Sequence, residues 1–186
     1  MPKHDEDAAL FQSMIGRVLE QEVAPHFDQW EEAGVMPKSL WKTLGEAGML
    51  GIDMPEQYGG AGARMEICQM AVEEIARQGF GGLCSGYNIH ANIVMPYLLH
   101  IGTDQQREQW LPAMIAGDAV GAIAMTEPGA GSDLAAIRTT AERTAEGWLI
   151  NGSKVFITNG LHADLVIVCA KTDPKAGAKG ISLFLV

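Results

Sequence analysis

At Gly117-Asp118 the hydrophobic pattern of this chain changes period, and nothing else in the sequence constrains the fold as strongly. Upstream, apolar residues recur in steps of three and four. Phe11, Met14, Ile15, Val18 and Leu19 form one stripe, Leu40, Trp41, Leu44 and Ala47 another, and Ile67, Met70, Ala71 and Ile75 a third. That spacing places each set on one face of a helix. Downstream, apolar runs are short and separated by Gly, Lys and Pro; they fall at 121–126, 148–150, 155–158, 165–169 and 181–186. Runs of that length suit strands. The chain therefore reads as α+β: an all-α helical domain over 1–120, then the start of an antiparallel, barrel-like β domain over 121–186.

Local signals set the boundaries inside each part. Pro25 can open a helix at its first turn, and Gly48 closes the helix that carries Trp41. The stretch from Pro55 to Gly62 is too rich in Gly and Pro for a regular element. Ala91 to Leu99 reads as a buried helix that Pro96 limits or kinks. Thr103 and Gln106 fit a capping box whose helix runs to Gly117. Glu73 and Glu74 fall in a helical stretch and are expected to face solvent or a domain boundary. Asn151-Gly152, between 148–150 and 155–158, is the strongest short hairpin signal. The run 181–186 reads as a strand whose outer edge awaits a partner.

Composition removes several classes of function. With 47% apolar and 19% charged residues the chain can bury a core, which excludes disorder as its dominant state. A formal net charge of −10 argues against nucleic acid as the main partner. No run approaches the roughly 18 consecutive apolar residues that a membrane span needs. The acidic start, Met1 to Asp7, is neither a secretory nor a transit signal. This points to the cytoplasm of a bacterium, or to the mitochondrial matrix for a mature eukaryotic chain. Cys68, Cys84 and Cys169 are unpaired in spacing and read as free thiols. The five histidines lack metal-ligand spacing, and no metal site is expected.

The densest chemical signal is Met125-Thr126-Glu127-Pro128-Gly129-Ala130-Gly131-Ser132-Asp133. Pro128 fixes one dihedral, while Gly129 and Gly131 free two others. Such a loop can bring backbone N–H groups and the Thr126 and Ser132 hydroxyls close to an anionic or carbonyl-bearing ligand. It can equally be a plain glycine turn between strands. It is not a dinucleotide fingerprint, since Leu134 stands where the third glycine would be.

The segment 122–134 closely resembles the flavin-loop signature of the acyl-CoA dehydrogenases. Three more runs are similar to that family in the same order: Met54 to Gly62, Gly102 to Arg107, and Trp148 to Gly160. The likeness spans nearly the whole chain and is greatest to the long-chain branch. It implies a helical domain, a β domain and a C-terminal four-helix domain, the last lying outside these 186 residues. It also implies FAD as cofactor and an acyl-CoA substrate dehydrogenated to a trans-2-enoyl-CoA. Electrons would pass to an electron-transfer flavoprotein, in a homo-oligomer when full length. By match, Ile123, Met125, Thr126, Gly131 and Ser132 touch the flavin, as do Phe156, Ile157 and Thr158, with Thr158 near the hydride-accepting nitrogen. Ser132, Tyr87 and Met95 are implied on the substrate side. Phe156 stands where many relatives have Trp, and core packing on a strand is the alternative for it. The implied catalytic base is a Glu beyond residue 186, so no residue here, Glu127 included, is assigned that role. The fragment alone is then expected to be inactive. An acyl-CoA oxidase of the same fold and a non-catalytic binding fragment are the other readings.

Overall fold

The computed structural model describes the backbone of residues 2–186 and the side chains from Ala8 onward. The chain forms two compact units, 1–120 and 121–186.

The first unit is helical. Helices α1 (Pro2–Val18), α2 (Phe27–Ala33), α3 (Ser39–Glu46), α4 (Met65–Arg77), α5 (Gly81–Tyr87), α6 (Met95–Ile101) and α7 (Asp104–Ile115) follow in order. The stripes legible in the sequence turn inward as their spacing requires: Ile15 and Leu19, then Leu40, Trp41 and Leu44, then Ala71 and Ile75, all buried. The Thr103–Gln106 capping box forms in both directions, Gln106 N–H donating to the Thr103 hydroxyl and Thr103 N–H to the Gln106 side chain. Beyond α7, Gly117 takes φ +74°, and a Cβ there would stand 2.0 Å from the Trp41 carbonyl oxygen. Only glycine fits that approach of one backbone to another.

Three expectations for this unit are corrected or narrowed. Pro25 does not open a helix: it lies in a turn after a wide π-helical segment (Leu19–Val23), and α2 starts two residues later at Phe27. Of the two readings for Pro96, a stop or a kink, the stop is excluded, since the helix continues past it to Ile101. A π-helical segment, Asn88–Val94, leads into α6 with Pro96 in its first turn. Proline lacks an N–H and crowds the carbonyl four residues back, and the wider π turn before Pro96 stands where that misfit falls. Of the two settings expected for Glu74, solvent and a domain boundary, solvent is excluded, since it is 3% exposed. Arg77 holds its carboxylate through two hydrogen bonds of 2.8 and 2.6 Å, and Gln78 donates a third of 2.8 Å. Those bonds let a carboxylate stay charged where it is shielded from water.

The second unit is a five-stranded sheet of β1 (Gly121–Ala124), β2 (Thr140–Thr144), β3 (Gly147–Asn151), β4 (Leu165–Lys171) and β5 (Ile181–Leu185), ordered β1-β4-β2-β3 with β5 also on β4. The β2–β3 and β4–β5 pairs are antiparallel. The β1–β4 pair and the single β2–β4 bridge, Thr140 to Lys171, are parallel, so parallel pairing stands beside the expected antiparallel pairs. The expected hairpin at Asn151-Gly152 is absent. β3 pairs instead with β2, Thr140 opposite Asn151 and Thr144 opposite Gly147. A tight hairpin turn of the favoured kind needs positive φ at both turn residues, and neither Asn151 nor Gly152 has it. Gly152 serves another purpose: a Cβ there would stand 2.1 Å from the Thr139 hydroxyl oxygen. β2, Thr-Ala-Glu-Arg-Thr, carries no hydrophobic strand signal, because only Ala141 in it is apolar and buried.

Candidate functional site

The loop after β1 is folded by its own carboxylate. Glu127 and Ala130 exchange backbone hydrogen bonds of 2.9 and 3.1 Å, so Pro128 and Gly129 form the corner of a tight turn. The Asp133 side chain then accepts from Ala135 N–H at 3.0 Å and starts a short 3-10 turn, Leu134–Ala136. The Glu127 carboxylate reaches past this turn to accept from Arg138 N–H at 2.6 Å and Thr139 N–H at 3.0 Å. It also accepts from the Lys154 ammonium at 2.9 Å, and that ammonium donates to the Met125 carbonyl at 3.0 Å.

Both charges are shut off from water; the Lys154 and Glu127 side chains are 11% and 5% exposed. Burial pushes the Glu127 pKa up, but the bonds from Thr139, Arg138 and Lys154 outweigh it and hold the pKa down at about 2. The group is therefore a fixed anion, with both oxygens engaged.

The same ties bind the segment after β3. Val155 N–H donates to the Thr126 carbonyl at 3.0 Å, beside the Lys154–Met125 bond. From there residues 152–164 run without a strand. Phe156 has φ +57° and is 93% exposed. The alternative that it packs in the core on a strand is thus excluded. Asn159, also left-handed at φ +64°, donates its side-chain amide to the Gly121 carbonyl at 3.2 Å. A left-handed backbone is unfavourable for a bulky residue, so this segment holds an aromatic ring outward against its own preference. Outliers of this kind cluster at ligand sites.

The candidates taken from the sequence fall in distinct settings. Ile123 is buried in β1, and the Met125 side chain packs on Ala130, Ile137 and Cys169. A ligand would meet either through its backbone. Thr126 and Thr158 are half-buried, Gly131 and Ser132 exposed, and Ile157 half-buried. The hydroxyls of Thr126, Ser132 and Thr158 have no hydrogen-bond partner among the described residues. A Cβ at Gly129 or Gly131 would meet nothing within 4 Å, and neither residue has positive φ. This turn therefore does not require glycine for its own folding, contrary to the expectation that the two glycines free its dihedrals. Bare backbone open to the outside is what a ligand pressed against the loop would need.

Tyr87 and Met95 belong to the helical unit, where both are buried. The Tyr87 hydroxyl donates to the Met49 carbonyl at 2.6 Å. Sequence reasoning missed the structural role of Glu127 and Lys154. They stand 27 positions apart with no periodic relation, and their only sequence signal is that each lies in one of the four matched runs.

Comparison with known proteins finds a family match over both units and similar folds. Residues 5–118 match the family model described as acyl-CoA dehydrogenase, N-terminal domain, and residues 122–186 match acyl-CoA dehydrogenase, middle domain. The mitochondrial long-chain specific acyl-CoA dehydrogenase of Rattus norvegicus is 47% identical over 95% of this chain and 41% of its own length. An acyl-CoA dehydrogenase structure from Geobacillus kaustophilus superposes with a TM-score of 0.93 at 44% identity, over 97% of this chain and 48% of that one. A glutaryl-CoA dehydrogenase from Mycobacterium smegmatis, solved in complex with FADH2, gives 0.88 at 33% identity, over 97% of this chain and 45% of that one. The chain thus spans less than half the length of each of these relatives.

Proposed function

This chain belongs to the acyl-CoA dehydrogenase family, and on that premise we propose that it supplies the flavin-facing loops of an enzyme that dehydrogenates acyl-CoA thioesters of medium to long chain. The observation that carries the proposal is the open surface of the 125–133 loop. There Gly131 leaves a Cβ-sized space empty, the Thr126 and Ser132 hydroxyls have no partner among the described residues, and Val155 N–H, bonded to the Thr126 carbonyl, ties this loop to the segment that turns Phe156 outward. Those donors fit a flat ring with a polar edge, which is the chemistry of FAD. FAD supplies a two-electron acceptor for the hydride that leaves the β-carbon of an acyl thioester.

The residues divide the work. Thr126 and Thr158 offer hydroxyls to the ring edge, and donors aimed there stabilise negative charge that builds up on reduction. Ile123, Met125 and Ile157 contribute backbone and apolar walls. Phe156 covers the ring with an aromatic face. Gly131 allows close approach of the backbone, and Ser132 reaches both cofactor and the CoA portion of the substrate. The acyl chain is assigned to the apolar helical unit near Tyr87 and Met95. Glu127 cannot act as the base for the α-proton, since both its oxygens accept hydrogen bonds and its pKa is held at about 2. That base is assigned to a residue outside this chain, which leaves the 186 residues alone without turnover. Assembly as a homo-oligomer and electron transfer to an electron-transfer flavoprotein complete the proposal.

The protein expressed from its complete reading frame should purify yellow and reduce a dye when given acyl-CoA. A colourless protein inert to a series of acyl-CoA chain lengths would overturn the proposal. Hydrogen peroxide formed under air at the rate of turnover would instead assign the chemistry of an oxidase.

A further inference from the structure

The Lys154 ammonium touches two groups of the loop after β1. It donates to the Met125 carbonyl at 3.0 Å and to Glu127 Oε1 at 2.9 Å. Its neighbour Val155 donates from the backbone to the Thr126 carbonyl at 3.0 Å. Glu127 in turn accepts from Arg138 and Thr139. The carbonyls of two consecutive residues, Met125 and Thr126, are therefore both engaged by the segment that carries Phe156.

One consequence concerns the peptide unit between them. The Met125 carbonyl and the Thr126 N–H belong to the same planar amide. A full positive charge on the carbonyl oxygen draws electron density toward that end and makes the N–H at the other end more acidic, hence a stronger donor. Little water reaches the site to screen the charge, so the polarisation persists although the paired Glu127 carboxylate opposes part of it. The Thr126 N–H itself has no acceptor among the described residues. A donor that is polarised, rigid and unspent is what a group gaining negative charge would use.

A buried ion pair is poorly explained by stability alone. Well-packed apolar residues of similar volume often serve a fold as well or better. This pair ties the loop proposed to face the flavin to the segment that carries Phe156.

We infer that Lys154 is a positioning residue for the cofactor loop: held in place by Glu127, its charge fixes the 125–126 peptide and strengthens the Thr126 N–H as a donor to the reduced flavin. The inference rests on the flavin reading above, and it adds to that reading a residue that need not touch the ring. It also assigns Glu127 the task of orienting Lys154 and keeping it charged.

The test is the midpoint potential of the bound flavin in the protein from the complete reading frame, measured against reference dyes. K154M should lower the ratio of reduced to oxidised flavin at a fixed potential about tenfold, equivalent to about 30 mV for a two-electron couple. K154R keeps the charge and should recover most of that ratio. Because K154M alone strands the Glu127 carboxylate, the double variant K154M/E127Q repeats the measurement in a frame with no buried unpaired charge, and it should show a fall in the same direction, smaller because the nearby anion is gone as well. Flavin-bearing variants K154M/E127Q with the wild-type potential would overturn the inference while leaving the flavin reading intact. A wild-type protein that carries no flavin would overturn both.

Discussion

The His90 imidazole lies against the Trp41 indole in the core of the helical unit, ring centroids 4.9 Å apart and planes inclined at 49°. A ring nitrogen of His90 is 3.1 Å from the Met114 carbonyl, so three helical segments meet at one neutral histidine. Burial lowers the His90 pKa to about 4, and the Met114 contact only partly opposes this.

His90 makes the fold sensitive to mild acid. The unfolded chain binds a proton at His90 near pH 6.5, while the folded chain resists it until about pH 4. Stability is therefore complete above pH 6.5 and falls as pH drops toward 4, by about 3 kcal/mol in total. Urea denaturation at pH 7 and pH 5 measures the fall. H90Q should flatten the curve between those values, and an unchanged slope in H90Q would show that another group is responsible.

The carboxylates act in a lower window. Glu74 and Glu127 are both held at about 2, against an ordinary value of 4.5. Their contribution is present above pH 4.5 and is lost as pH falls toward 2. At neutral pH, E127Q leaves Lys154 without its anion, and about 3–5 kcal/mol should be lost. K154M/E127Q should lose far less than the sum of the single variants, as coupled neighbours do. Additive losses would mean that the pair does not act as a unit.

Two glycines should respond in opposite ways. At Gly131 a Cβ meets nothing and φ is ordinary, so G131A should change stability by less than about 0.5 kcal/mol. It should nevertheless weaken flavin binding roughly tenfold, about 1.4 kcal/mol, because the added methyl occupies the approach to the loop. G152A drives a methyl into Thr139 and should destabilise by about 1–3 kcal/mol. Thermal melts and flavin titration separate the two effects. Normal flavin affinity in G131A would place the ligand elsewhere.

Phe156 offers the reverse test. It is exposed and left-handed, so F156G exchanges backbone strain for chain entropy and should alter stability by less than about 1 kcal/mol. A core Phe truncated to a small residue typically costs about 3–5 kcal/mol. Dye reduction with acyl-CoA should nonetheless fall in F156G. If stability collapsed instead, the ring would have to be packed in solution.

Much of the fold is legible because periodicity reports burial. The inward stripes of α1, α3 and α4 follow from three- and four-residue spacing, and the Thr103 capping box from residue type alone. The switch near Gly117 is legible for the same reason. β2 was not, because a polar strand at the margin of a sheet carries little hydrophobic signal. The Asn151-Gly152 pair misled because a local turn preference yields to pairing elsewhere: β3 gains a full five-residue register with β2, whereas 155–158 forms none.

The sequence by itself determined the two-part α+β organisation, the helix faces and the runs that mark the family, all of which depend on near neighbours along the chain. The tertiary structure alone decided that Glu74 and Glu127 are buried anions, that Phe156 stands in solvent, and that Lys154 joins Met125 to Glu127. Charge, exposure and donor strength depend on which distant groups exclude water from one another, and a distance of 2.9 Å between residues 27 positions apart leaves no trace in local spacing.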